Sequence, residues 1–207
     1  MKLDLITNKE KKQSGFIYGN TNQKENIKDI NPNDEYYTPI YAIEPILKYL
    51  KPNSEIWCPF DTDESNFVKL LEKEGHKVFN SHISEGFDFF DANKEKCKSF
   101  DYIISNPPYS IKAEIFKKLF ELERPFAMLV GVVGLFESKK RFEMFKNNKI
   151  EVMYFDKRIS YFKSYKDQKP SLNPPFSSVY LCSNILNKDI TFEVINKNHV
   201  SQQKLFL

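Results

Sequence analysis

The chain has 207 residues, of which 41% are hydrophobic and 15% aromatic, enough for one domain with a substantial core. A net charge of +3 is too small to mark a nucleic-acid binder by itself, so any basic surface must be local. The cysteines Cys58, Cys97 and Cys182 form no CxxC pair, which argues against a metal site and for a reducing, cytoplasmic setting, and no apolar run approaches membrane-spanning length.

Residues 1–33 are polar, rich in Lys and Asn, and lack periodicity. They read as a loosely docked N-terminal arm that could order over a bound ligand. From residue 34 to residue 207, short apolar strands alternate with amphipathic helices, the pattern of an α/β sheet covered on both faces. Residues 55–60 (EIWCPF) predict a buried strand. Residues 65–74 predict a helix with Phe67, Leu70 and Leu71 on one face. Asp61 with Glu64 three residues on resembles a helix-start signal, and Gly75 is a natural stop. Further strands are expected over residues 77–83, 100–105, 126–133, 151–155 and 177–182, with 190–195 extending the sheet. Helices are expected over 111–122 and 137–147, and 156–175 is a long segment without periodicity.

The strand over 100–105 runs directly into Asn106-Pro107-Pro108-Tyr109. The Asn side chain offers a carbonyl acceptor, and the proline after it holds its backbone extended. Neither proline donates an N–H, so nearby carbonyls remain available to a substrate amine. The Tyr ring can stack on a flat base. Together these features suit methyl transfer to an exocyclic amino group. A second copy, Asn173-Pro174-Pro175-Phe176, precedes a strand, whereas the first follows one. Ligands of open α/β sheets bind at the carboxyl ends of strands, so only the first copy is placed for chemistry and the second reads as a loop-to-strand entry.

Residues 101–110 (DYIISNPPYS) resemble the catalytic motif of S-adenosylmethionine-dependent amino methyltransferases, especially the DNA N6-adenine methyltransferases of small phage or mobile-element type. Three other stretches match in order: Tyr36-Tyr37-Thr38-Pro39, Gly86-Phe87-Asp88-Phe89-Phe90 and residues 125–130. The resemblance covers residues 35–182. It implies a Rossmann-like class I methyltransferase fold with a mostly parallel seven-stranded sheet. It also implies S-adenosylmethionine as cofactor, nucleic acid as partner (DNA foremost, with RNA also possible), and Asn106, Pro107, Pro108 and Tyr109 as the catalytic group. Tyr37, Thr38 and Pro39 would lie beside the cofactor's methionine, and Asp88 with Phe89 beside its adenine.

The chain departs from the family pattern where a glycine-rich loop normally follows the first strand. Here the loop reads Cys58-Pro59-Phe60-Asp61-Thr62-Asp63-Glu64-Ser65. Pro59, Phe60 and Asp61 take the cofactor-facing positions, and Asp61 and Asp63 either pair with the cofactor's amino group or serve as helix caps. The second strand ends in Asn80-Ser81-His82 in place of an acid, so Asn80 or His82 would serve the ribose by hydrogen bonding, unless His82 is structural. Lys157, Arg158, Lys163, Lys166 and Lys169 are interleaved with Tyr161, Phe162 and Tyr165. This is the composition of a nucleic-acid-binding loop, or of a solvated loop whose aromatics tuck onto the core. No large separate target-recognition domain fits, so sequence specificity would come from short loops or a protein partner, or would be low. Other readings are a non-catalytic binding protein on a degenerate methyltransferase fold, an RNA adenine or cytosine N4 enzyme, and a protein glutamine methyltransferase.

Overall fold

A computed structural model describes residues 37–166, 168–170 and 176–197. The N-terminal arm, Tyr36 and Asn173-Pro174-Pro175 lie outside the described residues. In chain order the elements are α1 (Ile40–Leu47), β1 (Glu55–Cys58), α2 (Asn66–Lys73), β2 (Lys77–Asn80), α3 (Lys94–Cys97), β3 (Tyr102–Ser105), α4 (Lys112–Leu122), β4 (Phe126–Gly131), α5 (Lys139–Lys146), β5 (Glu151–Phe155), β6 (Ser178–Ser183) and β7 (Ile190–Glu193). The strands form one seven-stranded sheet in the order β2-β1-β3-β4-β6-β5-β7. All pairings are parallel except those of β6, which runs antiparallel between β4 and β5.

The near-continuous apolar strands follow from burial on both faces. Alternate residues feed two cores. Ile56, Cys58, Ile104, Ala127, Leu129 and Tyr180 face α1 and α2. Trp57, Ile103, Phe126, Met128, Val130 and Leu181 face α4 and α5, meeting Ile115, Phe116, Leu119 and Phe145. Among the described residues no helix is long and apolar enough to cross a membrane.

Helix α1 is not apparent from the sequence because Pro45 lies inside it. Proline removes one donor and disfavours a helix interior. Burial outweighs that cost: Tyr41, Ala42, Ile43 and Ile46 are buried. Tyr180 Oη donates to the Ala42 carbonyl at 3.1 Å, and Tyr41 Oη accepts from the Ser160 amide at 2.8 Å. Predicted strand ends shorten where the chain turns away from the sheet. The second strand stops at Asn80, and residues 83–85 form a single 3-10 turn closed by Gly86 at φ 83°.

Glu151 opens β5 and is buried. Its Oε2 accepts from the amides of Ile185 (2.9 Å) and Leu186 (2.7 Å), and its Oε1 pairs with Lys149 at 2.8 Å. The carboxylate thereby fixes the turn between β6 and β7. Glu151→Ala leaves two amides without that acceptor, and denaturant titration should show a loss of about 2 kcal/mol.

Candidate functional site

The parallel strands β1 to β4 end on the same edge of the sheet, where open α/β sheets bind ligands. Asn106 follows β3 directly and is half-buried, and Pro107 is buried. Asn106 Nδ2 donates to Thr38 Oγ1 at 3.2 Å. Because nitrogen and oxygen lie on opposite sides of a planar amide, this bond turns Oδ1 away from Thr38. Thr38 is itself locked: it is 2% exposed, and its carbonyl accepts from Asn66 Nδ2 at 2.9 Å. Asn66 also exchanges amide hydrogen bonds with Gln168, at 3.3 and 3.4 Å. An approach segment, a helix N-terminus and a distant loop thus converge on the Asn106 amide. Thr38→Val keeps the volume and removes the acceptor. Loss of one such bond should lower stability by about 1 kcal/mol in denaturant titration, with Thr38→Ser restoring it.

Tyr109 lies in an aromatic cluster. Its ring meets Phe176 edge-on at 5.9 Å, and its Oη lies 3.1 Å from Tyr161 Oη, which donates to Ser178 Oγ at 2.8 Å. Phe176 is the last residue of the second NPPF copy. That copy does lead into β6, and its aromatic ring comes back to pack against the first copy. Gly131 makes room for it: a Cβ at that position would lie 2.7 Å from the Phe176 ring. The spacing of two similar tetrads in the sequence gives no sign of this contact, because it depends on β6 lying beside β4.

Asp61 is 6% exposed and sits beneath the motif. Its Oδ1 accepts from Ser65 Oγ and its Oδ2 from Ser105 Oγ, each at 2.5 Å. Burial pushes the carboxyl up to about 6, opposed by the two hydroxyl donors. The helix-start residue is Ser65, whose Oγ accepts from the Phe67 amide, so Asp61 braces the cap and is not the cap itself. Ser105 immediately precedes Asn106. One buried carboxylate therefore joins the end of β1, the start of α2 and the end of β3.

The remaining candidates line the same edge. Pro59 is buried. Phe60 is half-buried, with its ring 4.9 Å from Phe89, which in turn packs on Trp57 at 5.7 Å. Asp88 caps the 3-10 turn 89–91 by accepting from the Phe90 amide at 2.9 Å, and burial raises its carboxyl above the ordinary value. His82 is drawn into its own turn, with Nδ1 2.6 Å from Ser84 Oγ and accepting the Ser84 amide at 3.2 Å. Asn80 Nδ2 donates to Asp63 Oδ1 at 3.0 Å and spans the ends of β1 and β2. Tyr37 forms a two-bond bridge with Phe162 and leads through Thr38 into Pro39, the residue before α1. Among the described residues no group of three or more His, Cys, Asp and Glu could hold a metal ion.

The basic candidates are not gathered on one spot. Lys157 pairs with Asp156 (3.1 Å) and donates to the Ile195 carbonyl beyond β7 (3.4 Å), and Arg158 is exposed next to it. Lys163 and Lys166 are exposed on the stretch that packs over Tyr37. Of the interleaved aromatics, Tyr161 and Phe162 are core residues, 0% and 1% exposed, and the Tyr165 ring packs tilted against Tyr37 at 4.3 Å. These rings fill the protein interior and the approach to Thr38; they do not form an open stacking platform.

No family model and no curated protein matches the sequence. Solved structures do match. A protein described as the modification subunit of a type I restriction enzyme from Vibrio vulnificus YJ016 is similar with a TM-score of 0.52 at 10% identity, over 77% of this chain and 46% of that one. The chain therefore spans less than half the length of that subunit. A release-factor-specific protein-(glutamine-N5) methyltransferase from Alicyclobacillus acidocaldarius aligns with a TM-score of 0.41 at 13% identity, over 70% of this chain and 88% of that one. The fold is that of the class I methyltransferases.

Proposed function

We propose that this chain transfers a methyl group from S-adenosylmethionine to the N6 amine of adenine in DNA, with residues 34–207 as the catalytic domain and residues 1–33 as an accessory arm. The observation that carries the proposal is Asn106-Pro107-Pro108-Tyr109 at the carboxyl end of β3, with the Asn106 amide nitrogen held by Thr38 and its oxygen turned the other way.

The residues at the ends of β1 and β2 fit the cofactor in chemical character. Phe60 and Phe89 offer apolar rings for its adenine, Asp88 an acceptor for the adenine amino group, and Asn80 and Asp63 polar groups for the ribose. Tyr37, Thr38 and Pro39 border the methionine end. When bound, S-adenosylmethionine supplies an electrophilic methyl group. On the protein side, a target adenine must leave the stack to reach the motif. Tyr109 holds its face, while Asn106 Oδ1 and the Pro107 carbonyl accept from the N6 hydrogens. Those bonds draw the nitrogen away from planarity and expose its lone pair. Fixed dipoles and positioning carry the acceleration, and no strong general base is required.

Incubation with methyl-labelled S-adenosylmethionine and mixed-sequence DNA, followed by nucleoside analysis, tests the proposal. Label in N6-methyladenine supports it. Label in N4-methylcytosine, in RNA only or in protein glutamine reassigns the acceptor. One observation favours a second reading, a non-catalytic binding protein: the loop after β1 has no glycine, and both oxygens of its buried Asp61 are already hydrogen-bonded. Calorimetry separates the two, since a folded protein that binds neither S-adenosylmethionine nor its demethylated product, with or without DNA, belongs to the second.

A further inference from the structure

The segment from Val132 to Ser138, between β4 and α5, carries two well-exposed apolar side chains: Val133 is 62% exposed and Phe136 46%. Such exposure is ordinary on a loose loop, but this loop is pinned from several directions. Leu135 between them is fully buried. Arg141 donates through Nε to the Leu135 carbonyl at 2.9 Å and through Nη2 to the Gly134 carbonyl. Lys112 Nζ donates to the Val133 carbonyl at 3.0 Å. Gly134 takes φ 69°, a left-handed turn that lifts the tip. The Phe136 ring meets Phe145 edge-on, with centroids 6.0 Å apart. The chain thus invests a full set of backbone contacts in holding two apolar groups toward solvent.

The location and charge of the tip indicate what covers it. The loop leaves the carboxyl end of β4, next to the catalytic motif on β3. Lys112, which grips Val133, also lies 5.7 Å from the centroid of the Tyr109 ring. Lys112 and Arg141 bond the tip's carbonyls, and Glu137, Lys139 and Lys140 follow it in sequence at the start of α5, with Lys140 paired to Glu114 at 2.8 Å. Cations around an apolar prong complement a phosphate backbone flanking stacked bases. Proteins that open duplexes insert apolar side chains between base steps and offset the lost stacking in this way.

We infer that the Val133–Phe136 tip is a wedge for duplex DNA, entering the stack where the target adenine leaves it while Lys139 and Lys140 meet the adjacent phosphates. The inference rests on the proposed function and adds the surface by which a duplex is opened. The test uses the full chain and a Val133→Ser/Phe136→Ser double variant. It compares methyl transfer to one mixed-sequence DNA supplied as single strands and as duplex, and duplex binding by anisotropy. Calorimetric cofactor binding serves as the folding check. Because the stacking loss is a few kcal/mol per opened step, the variant should lose at least about tenfold more activity on duplex than on single strands. A Lys139→Glu variant, which leaves the apolar tip intact, should weaken duplex binding and flatten its salt dependence. Equal losses on both substrates, or none, overturn the wedge and leave the methyltransferase reading standing. A wild-type protein that neither methylates nor binds DNA overturns both. A wild-type dimer that becomes monomeric in the double variant, with DNA activity unchanged, gives the surface to a second copy and overturns the wedge.

Discussion

An Asn106→Ala protein is expected to lose about 10²–10³-fold in methyl transfer, the size of effect seen when one preorganised polar group facing a reacting centre is removed. Its affinity for S-adenosylmethionine should change far less, because among the proposed cofactor residues Asn106 bonds the Thr38 hydroxyl, and Phe60, Asn80, Asp88 and Phe89 are untouched. Folding should survive, since Asn106 is half-buried and lies outside both apolar cores. The decisive measurement pairs single-turnover methyl transfer with calorimetric cofactor binding. Normal turnover in this variant would remove Asn106 from the chemistry.

The second large effect concerns pH. Asp61 has an ordinary carboxyl value of 3.8 when the chain is unfolded and about 6 in the folded protein, raised by burial. Between these values the native state holds a proton that the unfolded state has released. The contribution of Asp61 to stability is therefore complete below about pH 4 and is lost as the pH rises through 6. A shift of two units corresponds to about 3 kcal/mol. Asp61→Asn cannot titrate, so the stability of the wild type minus that of the variant should fall by about 3 kcal/mol between pH 4 and pH 7 and then level off. Urea titrations of both proteins across that range check it. A difference that rises or stays flat over the window would mean that the buried carboxylate is solvated better than its surroundings indicate.

The sheet was legible because its strands are short apolar runs separated by turn residues, and β5 appears with its expected ends. What local sequence concealed was long-range. Helix α1 hides behind Pro45, a local breaker overruled by four buried side chains. Asp61 with Glu64 three residues on looks like a helix start, and only the third dimension shows that Ser65 is the cap and that Asp61 accepts from Ser65 and Ser105. Tyr161 and Phe162 sit among lysines and so suggest a surface loop, yet their burial comes from Tyr37 and β6, far away in sequence. In the candidate site the tetrad Asn106-Pro107-Pro108-Tyr109 and its place after an apolar strand could be read directly. Its supporting residues Thr38, Asn66, Gln168 and Phe176 come from separate parts of the chain, and no spacing rule links them.

The antiparallel insertion of β6 has a consequence for biosynthesis. Strand β4 emerges from the ribosome and can join β3 at once, but its other edge, from Phe126 to Gly131, is satisfied only by β6, which begins at Ser178. At about 5–20 residues per second the nascent chain spends several seconds with a fully apolar central strand half-paired. α5 and β5 are made in that interval, but in the finished sheet β5 bonds to β6 and not to β4, so its arrival does not give β4 its native partner. Premature release before Ser178 would leave β4 with an open apolar edge, the kind of edge that recruits other chains. Ribosome-bound fragments ending before and after β6 should therefore differ sharply in their dependence on chaperones.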